Sequence, residues 1–144
     1  MSAYRIDLHA AAPDVHTAMA GLDRAASAAL DPLLAELVRI RVSQINGCAF
    51  CLSTHTRAAL EAGESENRLD ALTSWRESPL FTDAERAALA LAEAMTSLSP
   101  AGVPGDVFGA AREHFDETPL AHLLWTIAAI NTWNRVAIAA SPSP

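Results

Sequence analysis

The chain has 144 residues, 51% of them hydrophobic, which fits one domain with a core that needs neither disulfide staples nor metal. Ten arginines, no lysine and 17 acidic residues give a net charge of -7. No basic run occurs, which argues against a nucleic-acid partner or an anionic membrane surface.

The start of the chain, MSAYRIDLHAAAPDVH, has no basic stretch followed by an apolar one, so no secretory signal is expected. A cytoplasmic location with reduced thiols follows as the expectation. Residues 1–12 and 141–144 are expected as loosely ordered tails of a single domain spanning 1–144. Pro13 opens a first helix to about Leu30. Asp31-Pro32 combines a capping side chain with proline at the first helical position, and that helix runs to about Ile45 and stops at Asn46-Gly47, where a left-handed residue is easily accommodated. The next helix begins at or near Cys48 and ends before Gly63. Ser65 caps a short helix through about Trp75. Thr82 and Glu85 have capping-box spacing ahead of an apolar run to Met95. The stretch from Ser99 to Gly105 reads as a loop, a helix covers roughly Asp106–His114, and Thr118-Pro119 is expected to cap a long final helix. That last segment is long enough to cross a bilayer, but His122, Asn131, Asn134 and Arg135 would be costly in lipid, so it reads as a buried helix. Apolar residues do not alternate as strands require, and Ala, Leu, Glu and Arg dominate. The expected fold is therefore all-α, with six to seven helices and no sheet.

The chemistry concentrates in GCAFCLSTH, residues 47–55. On a helix, positions 48, 51 and 55 are spaced i, i+3 and i+7 and share one face. Two cysteines three apart in a first turn can close a disulfide with little backbone movement. The free amides of a helix start lower a thiol pKa, and a thiolate attacks a peroxide or another disulfide. His55 can take or relay the proton. Zinc would need four ligands, and two cysteines and one histidine fall short. Glu36 lies on the preceding helix, about 16 Å before Gly47 at 1.5 Å per residue. If the chain reverses at Asn46-Gly47, Glu36 lies near the level of residues a little beyond His55, and a carboxylate there could orient the imidazole.

The stretch ELVRIRVSQINGCAFCLSTHTRAALEAG, residues 36–63, resembles the core motif of the AhpD-like alkylhydroperoxidases within the carboxymuconolactone decarboxylase superfamily. Similar segments follow at Trp75–Thr82, Glu85–Leu91 and Ile130–Arg135, so the likeness covers most of the chain from Pro32 to Ile138. The resemblance implies a single AhpD-like helical domain that assembles as a homo-oligomer, whether trimer, dimer or hexamer. It implies a thiol-dependent peroxidase or disulfide reductase acting on alkyl hydroperoxides, with an unidentified thiol or dithiol as electron donor and no cofactor or metal. Carried over residue by residue, Cys51 is the peroxidatic cysteine, Cys48 resolves it, and Glu36 and His55 form a proton relay. Helix-end reasoning alone would favour Cys48, the earlier and more exposed thiol, as the attacking group. Some active members carry a His between the cysteines, where this chain has Ala49 and Phe50. A decarboxylase or lactone-handling enzyme of the wider superfamily and a non-enzymatic redox-sensing oligomer are the alternatives.

Trp125 and Trp133 are eight apart and read as packing residues that could also line an apolar peroxide channel. Asn131 and Asn134 need partners on so apolar a helix and are expected to bond across helices. His122 reads as a satisfied core or interface histidine. His9, His16 and His114 have no catalytic spacing. Arg39 and Arg41 read as surface salt-bridge partners.

Overall fold

In the computed structural model, which describes residues 4–141, the third helix packs against the fourth, sixth and last helices. The helices are α1 (Leu8–Ala11), α2 (Pro13–Ser27), α3 (Pro32–Asn46), α4 (Ala49–Glu61), α5 (Glu66–Ala71), α6 (Asp83–Thr96), α7 (Gly105–His114) and α8 (Glu117–Ala140). A 3-10 segment, Leu72–Glu77, continues α5. No strand occurs among the described residues, and the only bridge there is the isolated pair Ser99–Gly102 in the loop after α6. The all-α reading holds.

Helix α3 is buried on two sides, which its sequence encodes as a nearly continuous apolar run. Leu34, Val38 and Val42 face α6 and α8 in one core cluster, and Leu37 and Ile40 face α4 and the 3-10 segment in a second. Leu37, Val38 and Val42 are fully shielded from solvent, and each such side chain contributes roughly 1.5–3 kcal/mol by leaving water. A helix so anchored is a rigid platform for the polar residues on its remaining face.

Most helix ends are set by the expected side chains. Asp31 accepts from the amides of Leu33 and Leu34, and Ser65 accepts from Arg68. Thr82 and Glu85 form the reciprocal capping box. Several boundaries differ from the sequence reading, two of them by two residues or more at the ends of long helices. α2 stops at Ser27 rather than Leu30. α8 begins at Glu117 with Asp116 as its cap, so Thr118 and Pro119 lie inside the first turn, where the missing proline N–H would have had no helical partner anyway. Within the stretch expected as a loose N-terminal tail, Asp7 caps the short α1, and the Arg5 amide donates to the Ala140 carbonyl at 2.7 Å. Residues 1–3 and 142–144 lie outside the described residues. Among the described residues, no helix is long and apolar enough to cross a membrane.

Candidate active site

The site is built at the turn between α3 and α4. Gly47 adopts φ 72°, ψ 31° as the α3 C-cap, a left-handed conformation that side-chain-bearing residues resist. The amides of Gly47 and Cys48 both return to the Ser43 carbonyl. This reversal lays α4 antiparallel along α3 and makes Cys48 the α4 N-cap. Its Sγ accepts from the Cys51 amide at 3.3 Å. Cysteine here fills a place usually held by Ser, Thr, Asp or Asn, where the unpaired amides of a helix start gather.

Cys48 and Cys51 are joined as a disulfide with their Cα atoms 5.3 Å apart, inside the span such bonds require. Cys48 is 3% exposed and Cys51 5%. The expectation that Cys48 is the more exposed thiol is therefore corrected: the capping position turns its sulfur inward over the helix start.

One turn beyond Cys51, the Nδ1 of His55 lies 2.8 Å from Glu36 Oε2. The other Glu36 oxygen accepts from Arg39 Nη1 at 2.9 Å, and Arg39 Nη2 reaches Asp23 on α2 at 3.2 Å. The side chains of Glu36 and His55 are mostly shielded. A carboxylate held at both oxygens fixes the ring plane of the histidine and favours its Nδ1–H tautomer, which leaves Nε2 as the exchanging nitrogen. Arg39 is thus not a surface salt-bridge partner, because α2 covers it and its guanidinium spans two carboxylates. Arg41 is likewise mostly shielded, between Glu93 and Gln44.

A second polar cluster fixes the α3 end from the other side. Asn46 Nδ2 donates to the side-chain oxygens of Asn131 (2.9 Å) and Asn134 (3.0 Å). Asn134 donates in turn to Ser43 Oγ, and Asn131 donates to Thr96 Oγ1. The asparagines of α8 thus bond across helices, two residues from Cys48. His122 places Nδ1 2.7 Å from the Ala26 carbonyl and serves as a helix tie. The two α8 tryptophans part company: Trp133 packs on the core, while Trp125 is 60% exposed. His9 and His16, idle by spacing, stack edge-to-face with each other, and His16 does so with Trp133. Arg39, Asp23 and this ring series were not legible as site neighbours, since only the packing of α1 and α2 brings them there. Among the described residues, no group of three or more His, Cys, Asp or Glu is arranged to hold a metal ion.

The chain is thus an all-helical domain with a disulfide-forming cysteine pair at a helix start, beside a carboxylate–histidine pair. Residues 6–94 match the carboxymuconolactone decarboxylase family, and the chain belongs to that family, in its AhpD-like branch. Among its relatives is the uncharacterized protein YdfG of Bacillus subtilis, 44% identical over 104 residues, which are 72% of this chain and 71% of YdfG. A crystal structure from Agrobacterium tumefaciens superposes with a TM-score of 0.90 at 35% identity, covering 98% of this chain and 99% of that one. It is of a protein of unknown function for which an AhpD antioxidant-defence role has been suggested. The debrominase Bmp8, in a cysteine-to-alanine variant complexed with 2,3,4-tribromopyrrole, has a TM-score of 0.79 at 25% identity, covering 90% of this chain and 70% of Bmp8.

Proposed function

We propose that the chain is a thiol-dependent peroxidase that reduces alkyl hydroperoxides through a Cys48/Cys51 dithiol–disulfide cycle. The observation that carries this reading is the pairing of the two cysteines one turn from His55, whose Nδ1 is held by Glu36. The Cys51 thiolate attacks the outer peroxide oxygen, the O–O bond breaks, and the alkoxide leaves as an alcohol after taking a proton delivered through His55. Cys51 is then a sulfenic acid. The Cys48 thiol displaces its oxygen as water and closes the disulfide. A dithiol donor reopens it by exchange and is itself oxidised. His55 receives the Cys51 proton at the outset, and Glu36 steadies the imidazolium that results. Such a cycle needs a compartment that returns the disulfide to dithiol, which fits the cytoplasm. Exposed large apolar side chains, among them Trp125, Leu98 and Val15, support a homo-oligomer in which a second copy covers some of them.

The likeness to a debrominase favours one second reading. The same dithiol would give its two electrons to a carbon–bromine bond, releasing bromide and leaving hydrogen on carbon. Both readings are tested on reduced protein by titrating free thiols before and after a small excess of tert-butyl hydroperoxide, with Cys48→Ser and Cys51→Ser in parallel. Wild type should lose both its thiols, Cys48→Ser should trap a sulfenic acid on Cys51, and Cys51→Ser should not react. Thiols untouched by peroxide would sink the peroxidase, and bromide release from a bromopyrrole would then favour the second reading. Stoichiometric thiol loss without turnover on added dithiothreitol would point to a redox-sensing oligomer.

A further inference from the structure

A cavity of about 220 Å³ opens between the N-terminal segment and the C-terminal half of α8. Its walls are largely apolar, with Ile6 and Val136 among them, and one side carries the rings of His9, His16 and Trp133. Those rings form a continuous edge-to-face series, with centroids 4.7 Å apart for His9–His16 and 5.4 Å apart for His16–Trp133. Such a series is the packing that a further aromatic ring extends, since ring edges and faces carry opposite partial charge. Phe50 also lines the cavity. It stands between the two cysteines and is 64% exposed, unusual for a residue type that normally buries.

The volume lies below the roughly 300–1,000 Å³ of sites that take drug-sized ligands, so the occupant is a single ring with a short substituent. Asp7 is also at the wall, and its carboxylate disfavours an anion. The imidazoles offer a polar handle to a hydroxyl or hydroperoxyl group.

We propose that this cavity binds a neutral, single-ring aromatic molecule and that, on the peroxidase reading above, it seats the ring of an aryl hydroperoxide beside the Cys51 turn through Phe50. Calorimetric and saturation-transfer NMR titrations of the oxidised protein with 2-phenyl-2-propanol test it without any turnover. Wild type should bind saturably, and tert-butanol, which lacks the ring, should bind at least about tenfold more weakly. Ala137→Phe, which fills the cavity, should abolish binding with an unchanged circular dichroism spectrum. If that variant does not fold, Phe50→Ala, altered at an exposed side chain, should weaken binding about threefold or more. Absence of saturable binding to folded wild type, as when a second copy covers the cavity, overturns the proposal, and so does equal affinity for the two alcohols. A protein that reduces tert-butyl hydroperoxide but ignores the aromatic alcohol loses only the cavity. One that binds the alcohol but keeps its thiols under peroxide loses only the peroxidase, and the cavity stands as an aromatic-binding site.

Discussion

Glu36 has both carboxylate oxygens engaged, Oε2 by His55 and Oε1 by Arg39, while Arg39 also holds Asp23. Arg39 therefore positions the carboxylate that positions the histidine. Replacing it by alanine frees one oxygen of Glu36 and removes the cation shared by two shielded carboxylates. Arg39→Ala should slow peroxide-driven thiol loss about tenfold, less than the roughly 100-fold or more that general acid–base help can contribute, and Glu36→Gln should slow it further. Arg39→Lys should recover only part of the rate, because one ammonium cannot span Asp23 and Glu36 as a planar fork does. Stopped-flow thiol assays on variants of matched melting temperature measure this. Equal rates in wild type and Arg39→Ala would remove Arg39 from the site. Of these four side chains, Glu36 and His55 were legible as neighbours in the sequence. Helical rise and the reversal at Gly47 set their level, and both quantities follow from local residues. Arg39 and Asp23 were not, because an Arg three residues after a Glu is ordinarily a solvated pair. Only the docking of α2, 16 residues away in sequence, turns it into a buried one.

At the scale of elements, α8 carries two fully buried polar side chains in opposite circumstances. Asn134 bonds Asn46 and Ser43 across to α3, whereas Thr126 Oγ1 is buried without a partner. A buried polar group stabilises only when it is paired. Asn134→Ala should therefore destabilise by roughly 2–4 kcal/mol, through the cavity and the partners it leaves unpaired. Thr126→Val should leave stability unchanged or raise it by about 0.5–1.5 kcal/mol. Urea unfolding of the two variants checks the contrast, and destabilisation by both would show that Thr126 has a partner after all. The helices themselves were readable because their signals are local: Asp31-Pro32, the Thr82/Glu85 box and the glycine at 47 each act within one turn. The short α1 was not, since four residues carry no periodicity. The start of α8 was misplaced by two residues because Asp116 and Thr118 are both residues that cap helices, and Pro119 is tolerated anywhere in the first turn.

For the molecule as a whole, α6 carries ionic joints to several other elements. Glu93 accepts from Arg41 of α3 and from Trp75 and Arg76 of the 3-10 segment. Glu85 accepts from Arg68 of α5 and from the Thr82 amide. Burial alone would raise both carboxyls. For Glu93 the hydrogen bonds from Arg76, Trp75 and Arg41 outweigh it, and for Glu85 those from Arg68 and Thr82 do, so each is held below its ordinary value of 4.5. A carboxyl with a lower pKa in the folded state binds fewer protons there than in the unfolded chain. Its stabilisation is complete above the unfolded value and is lost as pH falls through the folded one. Stability should thus be level from neutrality to about pH 5 and then fall steeply, each group adding up to about 1.4 kcal/mol per pH unit. Glu93→Gln should lower stability at neutral pH by roughly 1–3 kcal/mol, since Arg41 and Arg76 lose their counter-charge, and should make the acid limb shallower. Urea midpoints taken across the acid range on oxidised protein would show it. An acid limb equally steep in wild type and Glu93→Gln would mean that the chain's acid sensitivity resides in other carboxylates and that the α6 joints are packed rather than charged.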